Sequence, residues 1–188
     1  MEQNDKEVRV GKVLENVISD NADARQREIL QGLLDRGICF RVVECGDAVS
    51  IDQCEAVGKA LDARLVKTLF VSNRQQTRFH LVSMPGHKPF VTRQFTHGRG
   101  VSRVSFVSPE MLMSMLGTPV GGAGPLSVLN DMEGKVEMVL DRELDDYDMV
   151  AIPVVSPDMY IAVKMSDIRD KFLPSAHHEP VIIDMIEE

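Results

Sequence analysis

Leu65-Val66-Lys67-Thr68-Leu69-Phe70-Val71, the polar break Ser72-Asn73-Arg74-Gln75-Gln76, and Arg78-Phe79-His80-Leu81-Val82-Ser83-Met84 form the stretch on which the reading of this chain turns. Both outer runs are apolar, rich in residues that suit a pleated strand, and joined by a turn-like connection. They predict a β-hairpin. The signals around this hairpin do not alternate regularly between strand and helix. Their order is helix, strand, helix, then many strands with short helices interspersed. An α+β class fits that order best: a single domain with a mixed, mostly antiparallel sheet and flanking short helices.

Upstream of the hairpin, Ile29, Leu30, Leu33 and Leu34 mark one face of a helix over residues 22–36, and Gly37 stands where a helix ends. Ile38 to Val43 reads as a strand. Ser50 is placed to cap a second helix running to about Leu61, with Ala56, Val57 and Ala60 on its inner side. Residues 1–21 carry helical apolar spacing at Val10, Val13, Leu14, Val17 and Ile18. They predict an amphipathic extension, distinct from a domain over 22–188, that packs on the body or on a second subunit of a homodimer.

Downstream, Pro85 to Pro89 reads as a loop. Phe90 to Phe95 and Val101 to Val107 are predicted strands around a flexible His97-Gly98-Arg99-Gly100. Ser108-Pro109-Glu110 is a helix start, with a capping serine, a proline at the first position and an acid facing the positive end of the dipole. Met111 to Leu116 is the short helix, and Gly117 closes it. Leu126 to Leu129 and Val136 to Leu140 suggest a second hairpin. Asp141 to Asp148 reads as a solvated acidic turn without calcium-loop spacing. Met149 to Val155 and Met159 to Val163 are strands, Ser166 caps a last helix, and Val181 to Ile183 adds a final strand.

The chain has 188 residues, 44% hydrophobic and 27% charged, which suits one globular domain with a core of its own. No apolar run reaches the roughly 18 residues of a membrane helix, and the charged start lacks the centre of a secretory signal. Cys39, Cys45 and Cys54 are an odd set without metal-site spacing, as expected of reduced thiols in a cytoplasmic protein, with Cys39 and Cys45 at core or half-buried strand positions. The net charge of −8 hides an asymmetry, because residues 59–103 hold nine basic side chains and Asp62 alone among acids. That block is either a face for an anionic ligand or a set of solvated strand charges. No metal or cofactor constellation is present, and the spread of His80, His87, His97, His177 and His178 offers no ligand pair.

Two features remain unexplained by a core. Leu116-Gly117-Thr118-Pro119-Val120-Gly121-Gly122-Ala123-Gly124-Pro125-Leu126 places four glycines and two prolines within nine positions. It is a tight corner or a cradle where bare backbone groups meet a ligand, and it lacks the Lys-Ser/Thr ending of a phosphate-binding loop. Lys67 interrupts an otherwise apolar strand, so it snorkels to solvent or points into a cleft.

Lys67-Thr68-Leu69-Phe70 in a strand, Leu116-Gly117 at a helix end, and Gly121-x-x-x-Pro125 together resemble the YbaK / prolyl-tRNA synthetase-associated editing domain family. The likeness is greatest to its free-standing members, and it runs from about Ala24 to Ile183, including Leu140-Asp141-Arg142-Glu143-Leu144. The resemblance implies a cytoplasmic aminoacyl-tRNA deacylase acting in trans on the 3′ acceptor end of a mischarged tRNA, with no metal or other cofactor. It implies that the backbone at Gly121 lies against the reacting ester and that Lys67 orients the terminal adenosine. Thr68, Gly122, Gly124, Pro125, Ile152 and Ser156 would line the substrate site. The chain departs from family habit in having Lys67-Thr68 for Lys-Asn, Ile152-Pro153 for His-Pro, and Gly122-Ala123-Gly124 inside the loop. A histidine expected near Gly46-Asp47 is also absent.

Overall fold

The structure, a computed structural model, describes residues 8–46, 48 and 50–185. The hairpin is present as β3 (Arg64–Asn73) and β4 (Phe79–Pro85), paired antiparallel from Val66–Pro85 to Ser72–Phe79. It lies at the centre of a nine-stranded sheet. The others are β1 (Leu14–Glu15), β2 (Phe40–Glu44), β5 (Val104–Phe106), β6 (Val136–Asp141), β7 (Met149–Pro153), β8 (Met159–Lys164) and β9 (Val181–Ile183), ordered β1-β2-β8-β7-β3-β4-β6-β9 with β5 beside β3. Five pairings are antiparallel and three parallel, so the mixed, mostly antiparallel expectation holds.

The predicted helix starts are realised by the capping chemistry that announced them. α1 (Ala24–Asp35) begins at Asp23, which accepts from the Gln26 N–H while the Gln26 side chain answers the Asp23 N–H. α2 (Ile51–Ala60) repeats that reciprocal pattern with Ser50 and Gln53. Gly37 follows α1 at φ +67, the left-handed conformation that glycine adopts without steric cost.

Several expectations are corrected. Residues 92–99 form a helix, α3 (Thr92–Arg99), because one apolar side chain, Phe95, is enough to anchor it and Gly100 closes it. Leu126 to Leu129 is a 3-10 turn within Pro125–Asn130, started by Pro125 and tied by the Ser127 hydroxyl to the Gly124 N–H. β6 therefore has no hairpin partner there and pairs in parallel with β4. Asp141, expected in a solvated turn, is 2% exposed. Cys39 is exposed just before β2 rather than half-buried. The last helical stretch starts at Met165 after Lys164, not at a Ser166 cap, and runs through a π-helical turn, Ile168–Phe172. The described part of residues 8–21 is not helical. It adds β1 to the edge of β2, with Val8, Val10 and Val13 packed on one face of the sheet and Leu14 and Ile18 on the other.

The two faces of the sheet are unlike. One carries a continuous core that includes Val66, Phe70, Leu81, Leu126, Ile152 and Ile161. The opposite face is divided. Val57 of α2 and Leu61, which caps it, pack on Ala151, Tyr160 and Ala162, with Leu65 at the margin. Phe95 of α3 packs on Val71, Val82, Met84 and Val139, with Leu69 at the margin. No helix among the described residues is long and apolar enough to cross a membrane.

Candidate active site

Side chains alternate along a strand, so Leu65, Lys67 and Leu69 share one face of β3. Leu65 belongs to the margin of one cluster and Leu69 to that of the other, which places Lys67 in the seam between them. The seam coincides with a gap along one edge of β3. The parallel ladder to β7 ends at Leu65–Ala151, and the ladder to β5 begins only at Val71–Phe106. Continued two residues, the β7 register would bring Lys67 level with Pro153. Between the two ladders no strand is paired to this edge of β3.

Lys67 is half-buried, and removal from water holds its ammonium below the usual lysine range. Its Nζ donates to the backbone carbonyl of Lys88. An ammonium has three donors, and this bond commits one. Thr68 points to the other face, where its hydroxyl and that of the buried Ser83 lie 2.7 Å apart. The predicted neighbours Lys67 and Thr68 are therefore on opposite sides of the sheet.

The glycine loop lies against the end of β7 and the turn that follows it. A Cβ built on Gly124 would meet the Pro153 ring and carbonyl at 3.3 Å. One on Gly122 would meet Thr118 Oγ1 at 2.5 Å and Ser156 N and Cα at 2.8 Å, too close for any side chain. Gly121 has φ +88, with Ala48 O and Pro157 as neighbours. The structure thus gathers Gly121, Gly122, Gly124, Pro125 and Ser156 around one turn. Ile152 is fully buried, with its side chain in the continuous core beneath that turn.

Within the loop, the Gly122 N–H donates to Pro119 O at 3.0 Å and the Gly124 N–H to Ser127 Oγ at 3.2 Å. Among the described residues, Gly121 and Ala123 donate no backbone hydrogen bond. The loop is exposed at Gly121 and buried at Gly122 and Gly124. The loop N–H groups left without a backbone acceptor are therefore those of the exposed Gly121 and the half-buried Ala123, the second of which the sequence pattern did not single out.

Two supports escaped sequence reasoning. Thr118 is fully buried, and its hydroxyl donates to Val155 O at 2.8 Å. Val155 has φ +51, a strained conformation for a β-branched residue, in the turn that the loop covers. Lys88 is 6% exposed, with Nζ 2.8 Å from Asp141 Oδ2 and 3.0 Å from Glu143 Oε2. The basic block is thus not one open face, since Lys88 is enclosed and Arg99 is paired with Glu137. His80 and His178 are also engaged away from the loop, with Glu137 and Asp131.

Comparison with known proteins places the chain in a family. A model of the family described as the aminoacyl-tRNA editing domain matches residues 47–171. The chain is 26% identical over 130 residues to the prolyl-tRNA editing protein ProX of Acetoanaerobium sticklandii, covering 69% of this chain and 79% of that one. Among solved structures, one described as a candidate trans-editing enzyme for prolyl tRNA synthetase superposes with a TM-score of 0.65 at 16% identity, covering 88% of this chain and 100% of that one. The hypothetical protein APE2540 superposes with a TM-score of 0.63 at 18% identity, covering 84% and 98%. These structures share the fold. The family match spans more than half of the sequence, and the chain belongs to the aminoacyl-tRNA editing domain family.

Proposed function

We propose that this family member is a cytoplasmic aminoacyl-tRNA deacylase acting in trans, which hydrolyses the ester joining an amino acid to the 3′ end of a mischarged tRNA. The observation that carries this reading is the gap in the sheet. Lys67 lies on β3 just beyond the end of the β7 ladder, and the glycine loop packs on Pro153 at the end of β7 while its Gly121 and Ala123 N–H groups donate no backbone hydrogen bond among the described residues.

Hydrolysis needs water to add to the acyl carbon, charge to develop on the carbonyl oxygen, and the ribose oxygen to leave with a proton. Backbone N–H groups of Gly121 and Ala123 are suited to the developing oxyanion, and one such donor is worth about 3 kcal/mol in comparable enzymes. The remaining donors of Lys67 suit a phosphate or ribose hydroxyl of the terminal adenosine. A hydroxyl of that ribose is a ready source of acid–base assistance, so the site needs no nucleophilic side chain. Among the described residues, no three His, Cys, Asp or Glu side chains gather as metal ligands.

The fully buried Ile152, where the family resemblance leads us to expect a histidine, favours a second reading in which the site binds tRNA or an amino acid without turnover. Both are tested by incubating the protein with alanyl-, seryl-, cysteinyl- and prolyl-tRNA and following ester loss. The deacylase reading expects loss from at least one of them, abolished in Lys67→Ala. Salt-sensitive tRNA binding with no ester loss supports the second reading. No turnover on any substrate, with Lys67→Ala indistinguishable from wild type, rejects the first.

A further inference from the structure

The loop that joins the hairpin to α3 is braced from an unexpected direction. Its first turn is closed by Lys88 N–H donating to Pro85 O at 3.2 Å, and it is pinned to β3 by Gly86 N–H donating to Leu65 O at 2.8 Å. A Cβ on Gly86 would meet the Leu65 side chain at 2.8 Å, so the loop lies directly on β3. Lys88 precedes Pro89, which disfavours helical backbone at Lys88. Its carbonyl accepts from Lys67 Nζ, while its own ammonium is locked between Asp141 and Glu143 at the end of β6. Glu143 is held in turn by the Tyr147 hydroxyl at 3.0 Å, and Arg64 lies over the Tyr147 ring at 5.0 Å.

A lysine enclosed with two carboxylates is a poor way to gain stability. The desolvation cost of such clusters rivals their attraction, and apolar replacements of whole clusters are often neutral or better. The backbone of Lys88 provides a reason for it to be there. We propose that Lys88, clamped by Asp141 and Glu143, is a positioning residue: it fixes the carbonyl to which the Lys67 ammonium is bonded, and so sets where that ammonium points. This inference rests on the reading of Lys67 as the group that meets the substrate. The contact is indirect, from the Lys88 side chain through its backbone to Lys67, so its mark is on orientation and not on substrate capture.

The test compares Lys88→Met, Lys88→Arg and the milder Glu143→Gln, whose side chain is 32% exposed and whose loss leaves Asp141 in place. Two readouts are taken from each: deacylation kinetics, and the side-chain NMR signals of Lys67 assigned with Lys67→Arg as the blank. Lys88→Met is expected to lower kcat at least tenfold with KM within twofold of wild type. Lys88→Arg should recover most of that loss, and Glu143→Gln should cost about threefold. The Lys67 signals should move towards those of a solvent-exposed lysine in Lys88→Met, and part of the way in Glu143→Gln. If Lys88→Met does not fold, Glu143→Gln alone decides. Lys67 signals that stay at the wild-type position in the folded variants overturn the proposal, whatever the kinetics. Lys67 signals that move in a protein whose wild type hydrolyses no charged tRNA leave the positioning role standing and remove the deacylase reading.

Discussion

Lys67 and Lys88 are joined by one hydrogen bond and kept in opposite electrostatic conditions. Burial works against the charge of Lys88, but the carboxylates of Asp141 and Glu143 outweigh it and hold this lysine above its ordinary range. Lys67 is also withdrawn from water, yet its hydrogen-bond partner is a neutral carbonyl, and its proton is held less tightly than usual. The pair shows how a site can be recognised without a catalytic motif. A satisfied buried charge serves the framework, whereas a charge left short of compensation is available to a ligand that brings the missing counter-charge.

The strongest way to break this contrast is to remove the poorly compensated lysine. Lys67→Ala should lower deacylation at least 100-fold, measured as first-order ester loss at saturating enzyme. Lys67→Met should raise the midpoint of thermal unfolding at neutral pH, because it removes a desolvated charge and keeps the stem. A destabilised Lys67→Met would show that the Lys67 charge is compensated within the fold.

The loop allows a second, smaller test. Gly122→Ala forces a Cβ onto the Ser156 backbone, and overpacking of that kind costs roughly 1–3 kcal/mol. Gly121→Ala meets nothing closer than 3.4 Å and carries the cost of its left-handed backbone, about 1 kcal/mol. Chemical denaturation should therefore rank Gly122→Ala as the more damaging to stability. Gly121→Ala should lose more activity than its stability loss explains, since Gly121 is exposed and its N–H donates no backbone hydrogen bond.

The smallest effect sharpens the comparison most. Lys88 has its pKa raised by folding, so its contribution to stability is full below the unfolded lysine value of about 10.4 and is lost as pH rises through its folded pKa. Lys67 has its pKa lowered by folding, so its penalty is present at neutral pH and disappears as pH rises towards the same unfolded value. The two slopes oppose one another. Relative to wild type, unfolding free energy measured from pH 8 to 11 should fall more steeply with pH in Lys67→Met and less steeply in Lys88→Met.

Much of this was legible in the chain because it depends on local chemistry. Ser50, Ser108, Gly37 and Gly117 announced helix ends that the structure contains. The hairpin around residues 72–76 announced the centre of the sheet. The resemblance carried by Lys67 and the Gly121–Pro125 loop named the family that the comparison then established. What escaped was non-local. The parallel ladder between β4 and β6 brings Ser83 beside Leu140, and so brings Lys88 to Asp141 and Glu143 across more than fifty residues. No periodicity near Lys88 encodes that meeting. Likewise, alternation along β3 separates Thr68 from Lys67, although they adjoin in the motif. α3 was hidden because a single buried Phe95 leaves almost no helical pattern to read.

The central claim is that Lys67 and the glycine loop face one substrate from two sides of a gap. The most direct measurement is titration of the protein with a non-hydrolysable amide analogue of an aminoacylated adenosine, followed by NMR at the Lys67 side chain and at the Gly121 and Ala123 amides. The account predicts that all three respond together with a single dissociation constant, and that Lys67→Ala weakens the response of both amides. A response at the loop amides that is unchanged by Lys67→Ala, or saturation with no response at Lys67, would contradict it.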